Sequence, residues 1–544
     1  MGPLIVTPIV AFIHQIPVVS DVLHPLIGYP VRLGLPAGTP VPRDVKVTSF
    51  DGTRIYTHFM PALGLGPGQT APTILNGPGL GLPGATNLVS SPLADAINGV
   101  LTDFVGQVGI GVLRAAGYNV VTWDPRGEWN SGGRLELNSP DFEARDVSAI
   151  LSWVAAQPEV QLDDPENLDP RIGMVGVSYG GGIQTVTAAT DHRVDAIVPT
   201  ITWNTLNTTL YKSEAYKSSW GTLLSGALIA TLARVNPRIY PAAVYGALTG
   251  LVTPSDQQVL TDRGPGGPRD LVNDITAPTL LIQGTVDTIF SLQEADDTAQ
   301  TLIANGVPTK VLWFCGGHGV CLNNLFDFSD GAVIQTRTLE WLDRYVKDDL
   351  SVSTGPQFEW VDQRGQWFSS EVYPVSQDAP LVTASSAGAV LPLIPYLGGS
   401  GLPVVPLAFK ALNAVNLTVP EASTPTYLVG APELTLTYSG TGTGRHVYAQ
   451  LVDDTTGLVL GSIVTPIPVT LDGQPHTITI DLEPVAHTLA PGETVTLQLV
   501  SAAGIYETVV PSLGTLKVSS MQIALPTVDA AATSASSVVQ PMSA

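Results

Sequence analysis

Ile172-Gly173-Met174-Val175-Gly176-Val177-Ser178-Tyr179-Gly180-Gly181-Gly182 is the stretch that decides the fold. Its first six residues are a continuous apolar run, the mark of a strand buried on both faces of a parallel sheet. Residues 181–190 then carry a helical pattern. The serine between them has a glycine two positions away on each side, the arrangement of a nucleophile elbow. Small neighbours let the backbone take a strained turn that lifts the Ser178 hydroxyl clear of the sheet. The start of the following helix offers N–H groups without intrahelical partners, which suit an oxyanion.

Further buried runs occur at 73–75, 120–123, 196–198, 279–282 and 310–314, with helical patterns at 142–156, 292–304 and 333–345. This alternation predicts a doubly wound α/β domain over about 45–350. Two alternating segments, 45–50 and 53–59, flank Asp51-Gly52 and read as a hairpin. Between 203 and 272 no buried strand occurs, and the polar-aromatic, helix-compatible sequence reads as an inserted cap. After 351, short alternating segments such as 358–361, 434–438, 446–452, 476–482 and 494–500 predict an all-β sandwich. The expected division is an arm at 1–44, the sheet domain at 45–202 and 273–350, the cap at 203–272, the sandwich at 351–525 and an Ala/Ser/Thr-rich tail at 526–544.

Composition narrows the function classes. The 544 residues hold 24 Lys+Arg against 47 Asp+Glu, a net charge of −23, with 44% hydrophobic and only 13% charged residues. Mean hydropathy is +0.25, which excludes a disordered chain. The acidic balance and the lack of a basic patch argue against nucleic-acid partners. No run of roughly 20 apolar residues predicts a membrane helix. Sparse charge suggests an exported or cell-envelope protein, yet no Lys or Arg precedes Arg32 to form a signal n-region, so a cytoplasmic site is the alternative. Cys315 and Cys321, in Cys-Gly-Gly-His-Gly-Val-Cys, either close a short disulfide in an oxidising compartment or stay as two thiols. With one histidine between them they cannot fill a structural zinc site.

A serine hydroxyl needs a base, and the base needs a carboxylate to set its tautomer. In this topology both follow the serine, carboxylate first. Asp287 lies just past the run 279–282, in Gly284-Thr285-Val286-Asp287, and His318 just past 310–314, in Gly316-Gly317-His318-Gly319. Both fall at carboxyl ends of strands, where open sheets place ligands. The oxyanion donors expected are the N–H of Tyr179 and one from the loop after 73–75, Asn76-Gly77-Pro78-Gly79-Leu80. Pro78 has no N–H, leaving Gly79 or Leu80. In Asp124-Pro125-Arg126-Gly127, an Asp124–Arg126 brace is expected to hold the loop beside the elbow.

These features together resemble the X-Pro dipeptidyl-peptidase and cocaine-esterase-like serine hydrolases over about residues 45–520. The resemblance rests on Asp124-x-Arg126-Gly127-x-x-x-Ser131-x-Gly133, the Gly-x-Ser-Tyr-Gly-Gly elbow, the cap, Gly284-x-x-Asp287, Gly317-His318-Gly319, and Phe358-Glu359-Trp360-Val361 with Gln366-Trp367. It implies an α/β-hydrolase with a helical cap and a C-terminal jelly roll, acting on esters, amides or peptides. It also implies a triad of Ser178, Asp287 and His318, with the Tyr179 N–H in the oxyanion hole. Cocaine-esterase-like members draw the other donor from a tyrosine after the third strand, and Asn76-Gly77-Pro78-Gly79 has none. An X-Pro exopeptidase must hold a substrate ammonium, and the cap offers few carboxylates, Glu214, Asp256 and Asp262, with only Glu214 in its front half among Trp203, Tyr211, Tyr216 and Trp220. The expected substrate wall is therefore Trp203, Tyr211, Glu214 and Trp220, suited to acyl or aryl esters. A dipeptidyl-peptidase or amide hydrolase is the first alternative and a non-catalytic cell-envelope binding protein the second. The expected chemistry calls for no cofactor and no metal.

Overall fold

The apolar runs become the centre of one mixed sheet. A computed structural model describes residues 3–30, 34–88, 92–321, 329–375, 382–395, 408–528 and 534–535. Its main strands are β1 (Arg43–Thr48), β2 (Arg54–Met60), β3 (Thr73–Gly77), β4 (Asn119–Trp123), β5 (Ile172–Val177), β6 (Ala196–Thr200), β7 (Thr279–Gly284), β8 (Thr309–Phe314), β9 (Phe358–Val361) and β10 (Trp367–Ser370). They lie in the order 1-2-4-3-5-6-7-8-9-10. β3 to β9 run parallel to their neighbours, while β1–β2, β2–β4 and β9–β10 are antiparallel. This is the α/β-hydrolase sheet.

Successive side chains of a strand point to opposite faces, and each face has its own helices. Ile74, Val120, Val175, Val198 and Leu312 pack with Ile110, Leu113, Ile334 and Leu342. Leu75, Val121, Met174 and Ile197 pack with Val147, Ile150, Leu151, Ile183 and Val186 on the other side. Double-sided burial explains why these strands read as continuous apolar runs.

Two boundaries differ from the sequence reading. β9 and β10, expected in the sandwich, extend the hydrolase sheet, with Val311 of β8 opposite Phe358. The alternation Phe-Glu-Trp-Val suggested a half-exposed strand, but Glu359 is fully buried and held by Lys310 at 2.8 Å and Arg337 at 2.7 Å. Phe358, Trp360 and Phe368 stack in a row along this edge, and Trp313 meets Phe358 edge-on. Part of the expected tail is also built in: Thr527–Val528 pairs with Thr426–Gly430, and Ser534–Ala535 with β10.

The C-terminal jelly roll faces two four-stranded sheets across a core that includes Leu417, Leu436, Leu451, Leu497, Leu516 and Ile523. The cap contains helices Leu206–Leu210, Ser218–Ala230, Ile239–Thr249 and Pro254–Thr261. It is tied to the jelly roll: Lys212 Nζ meets Glu483 at 2.6 Å, and the Ser219 hydroxyl donates to the Ile505 carbonyl at 3.1 Å. At the amino-terminal side, helices Pro3–Ile13 and Val19–Ile27 lead into β1. Among the described residues no helix is long and apolar enough to cross a membrane.

Candidate active site

Ser178 sits at the turn from β5 into helix Tyr179–Thr190 with φ 59° and ψ −116°, a strained conformation for a residue with a side chain. The crossing beneath it has no room for one at the next glycine: a Cβ on Gly180 would lie 2.0 Å from the Gly77 carbonyl oxygen of β3. The turn is pinned by the Ser178 N–H donating to Thr200 O at 2.9 Å and by Ser178 O accepting from Gly181 and Gly182. The Tyr179 ring is locked from outside, its hydroxyl accepting from the Asn138 N–H at 2.9 Å.

The loops after β7 and β8 bring the two other expected residues to this serine. Asp287 is 1% exposed and accepts four hydrogen bonds: from Ile289 N (3.0 Å), Phe290 N (2.8 Å), His318 N (3.1 Å) and His318 Nδ1 (2.7 Å). Because the carboxylate can only accept, Nδ1 carries the proton and Nε2 presents a lone pair. Nε2 lies 2.8 Å from Ser178 Oγ, in position to accept the hydroxyl proton. Gly317, at φ 128°, lets the loop pass the aspartate, since a Cβ there would come within 2.7 Å of Asp287 Cβ. The loop is closed by a Cys315–Cys321 disulfide with a Cα separation of 5.5 Å. Phe290 and Trp220 stand edge-on to the His318 ring at 5.0 and 5.8 Å.

The loop after β4 is braced, though by other partners than expected. Arg126 forks onto Asp146 at 2.6 and 2.7 Å and reaches Asp51 at 3.2 Å, so it ties the loop to helix Glu143–Ala155 and to the hairpin turn. Asp124 instead accepts from the N–H groups of Gly84 and Asn130. Sequence proximity suggested an internal pair, but the guanidinium fork reaches past its neighbour to a buried helix carboxylate. Nearby, burial pushes Glu128 up to about 8 and Glu143 up to about 7.

Ser178, Tyr179 and His318 open into a cavity of about 430 Å³. Gly79 and Leu80 line it, as do Leu137, Leu206, Leu224, Leu228, Val259 and Phe290. Of the expected substrate wall, only Trp203 faces this space. Tyr211 packs behind the wall, against Tyr216 and Val252, which do line it. Glu214 is exposed and does not line the cavity, and Trp220 donates its indole N–H to Thr288 at 3.0 Å behind His318. The sequence reading placed the cap aromatics on the cavity; Trp203 and Tyr216 line it, Tyr211 and Trp220 do not, and Leu and Val of the cap helices supply much of the rest. Two carboxylates reach the wall, and both are engaged: Glu136 by Asn236 at 2.7 Å and Arg263 at 3.7 Å, Asp256 by the Thr253 hydroxyl at 2.6 Å.

Behind Asp287 lies a buried charge cluster that the sequence did not reveal. Lys217 is 2% exposed and donates to the Ile289 carbonyl at 2.7 Å, in the same turn whose N–H groups hold Asp287. Burial lowers its ammonium to about 8, with Glu483 of the jelly roll opposing that shift.

Residues 51–319 match the family model of the X-Pro dipeptidyl-peptidases (S15 family), a span that contains Ser178, Asp287 and His318. The hydrolase domain belongs to this S15 family. Among solved structures, an α-amino acid ester hydrolase superposes over 92% of this chain and 99% of its own with a TM-score of 0.60 at 15% identity. A CocE/NonD family hydrolase from Staphylococcus aureus superposes over 89% and 93% at 0.60 and 14% identity. An aminopeptidase from a Thaumarchaeota archaeon of marine sediment does so over 91% and 99% at 0.61 and 14%. At these identities the likeness concerns the fold, which extends through cap and jelly roll. Over 83 residues the chain is 32% identical to an uncharacterized protein of Pseudomonas aeruginosa and to an uncharacterized 31.7 kDa protein of Escherichia coli, spanning 20% and 27% of those relatives.

Proposed function

We propose that this S15-family protein is a serine hydrolase that cleaves carboxylic esters with an apolar acyl group. In this reading the Ser178 oxygen attacks the ester carbonyl while His318 Nε2 takes the hydroxyl proton. The Tyr179 N–H and a backbone N–H of Gly79 or Leu80 receive the oxyanion. His318 then protonates the departing alcohol, and water repeats the sequence to release the acid. Asp287 keeps the imidazole in the required tautomer and steadies its charged form.

The observation that carries the ester reading is the wall around Ser178. Apolar side chains dominate it, and of the two carboxylates on it among the described residues Glu136 already faces the Arg263 guanidinium at 3.7 Å, while Asp256 accepts from the Thr253 hydroxyl. A wall so largely apolar favours apolar acyl esters over X-Pro peptides, which present an ammonium. The disulfide, buried at both cysteines, supports action outside the reducing cytosol.

The test compares p-nitrophenyl acyl esters of increasing chain length with Gly-Pro-p-nitroanilide, using wild type and Ser178→Ala. Ester turnover that Ser178→Ala lowers by at least about 10³-fold supports the proposal. Preferential anilide cleavage would replace it with an exopeptidase, and failure of a fluorophosphonate probe to label Ser178 would end the catalytic reading.

A further inference from the structure

On the edge of the sheet away from Ser178, three segments bring a different chemistry together. His24 comes from helix Val19–Ile27, Asp44 from β1 and His58 from β2. One ligating atom of each lies within 4.8 Å of the other two. His24 Nε2 is 3.0 and 3.1 Å from the two Asp44 oxygens, and His58 Nδ1 is 2.8 Å from Oδ1. Both imidazoles are buried, at 1% and 2% exposure, while the Asp44 side chain is 27% exposed and leaves a way in.

We propose that His24, Asp44 and His58 form a binding site for one zinc ion that fastens the N-terminal arm to the hydrolase sheet. Two imidazoles and a carboxylate are a zinc donor set, and the nitrogen donors disfavour calcium and magnesium. Bonds of about 2.0–2.1 Å in a tetrahedron set the ligand atoms about 3.3 Å apart. The Asp44 contacts already fall near that value, and the two imidazole nitrogens, within 4.8 Å of each other, close on the ion by a shift of the rings.

Two tyrosine hydroxyls turn toward the same carboxylate: Tyr56 donates to Asp44 at 3.0 Å, and the buried Tyr29 hydroxyl interacts with it as well. A water on the metal would give the Tyr29 hydroxyl a further partner.

The site has a mechanical consequence. Val18 precedes the helix that carries His24, and it lines the cavity at Ser178. Loading the ion therefore fixes a part of the cavity wall.

The experiment uses the full chain stripped with chelator, then titrated with Zn²⁺ against a chromophoric competitor and with Co²⁺ in the visible range. One equivalent of zinc, a tetrahedral Co²⁺ spectrum and a Tm raised by zinc are expected. His58→Ala and Asp44→Asn should each weaken uptake by at least 100-fold, whereas His318→Ala should leave it unchanged. If His58→Ala does not fold, Asp44→Asn and the wild-type Co²⁺ spectrum decide. Uptake below 0.2 equivalents, an octahedral Co²⁺ spectrum, or an equivalent lost in His318→Ala but kept in Asp44→Asn would overturn the proposal.

Discussion

Opening the Cys315–Cys321 ring is the most informative perturbation of the His318 loop. The disulfide spans a separation of six residues and encloses His318, whose imidazole must meet both Asp287 and Ser178. The chain-entropy model for so small a ring gives about 2.3 kcal/mol. For a protein of this size that corresponds to a Tm lower by roughly 2–3 °C. If the whole of it appeared as freedom of the loop in the folded state, the properly placed imidazole would be depleted up to about 50-fold. Cys315→Ala/Cys321→Ala is the variant of choice, since both sulfurs are buried and reductant reaches them slowly. Hydrolysis of p-nitrophenyl butyrate should show kcat lowered between about 5- and 50-fold with KM nearly unchanged, because the acyl cavity lies on other elements. A double-alanine protein with wild-type kcat and a Tm within 1 °C of wild type would refute the argument that the ring holds His318 in place.

Gly180→Ala should abolish soluble expression or activity, because its Cβ would fall 2.0 Å from Gly77 O, and a normal yield of active protein would contradict the close crossing. Lys217→Met removes the cation from a buried cluster with Glu483 and Glu294, a change expected to cost about 3–5 kcal/mol in chemical denaturation; under 1 kcal/mol would show the cluster to be energetically idle. Burial raises Glu128 to about 8, so the folded state binds a proton that the unfolded state has released. Its contribution to stability is greatest below the unfolded carboxylate value near 4.5 and falls as pH rises toward 8. Glu128→Gln should flatten the decline in Tm between pH 5 and 8, and an unchanged slope would reject the assignment. Leu224→Trp should shift ester preference toward shorter acyl chains, measured as kcat/KM across a chain-length series.

What was legible in the sequence follows from how local each signal is. The elbow is written in seven consecutive residues, and Asp287 and His318 announce themselves by lying just beyond apolar runs, so topology alone predicts that they converge. The cavity wall is different. Leu224, Leu228 and Val259 face Ser178 because of how the cap helices pack, and the amphipathic pattern of a short helix does not say which neighbour its apolar side meets. Tyr211 and Trp220 drew attention as large aromatics, yet one fills a small core of the cap and the other backs His318. Glu359 misled for a further reason: a charged residue in a strand reads as solvent-facing until Lys310 and Arg337, from other elements, are seen around it. His24 and His58, 34 positions apart, carry no spacing signal, and only the folded arm brings them together.

The stitching of the cap to the jelly roll, through Lys212–Glu483 and Ser219–Ile505, bears on how the molecule can be re-engineered. A cap anchored to a second domain is less free to swing on its own hinge than an unattached lid, so access to Ser178 depends on both domains. Chimeras that graft a foreign cap alone would leave Glu483 facing empty space, whereas grafts that carry cap and jelly roll as one cassette would keep the seam intact. The heritable unit of specificity in this architecture is thus the pair.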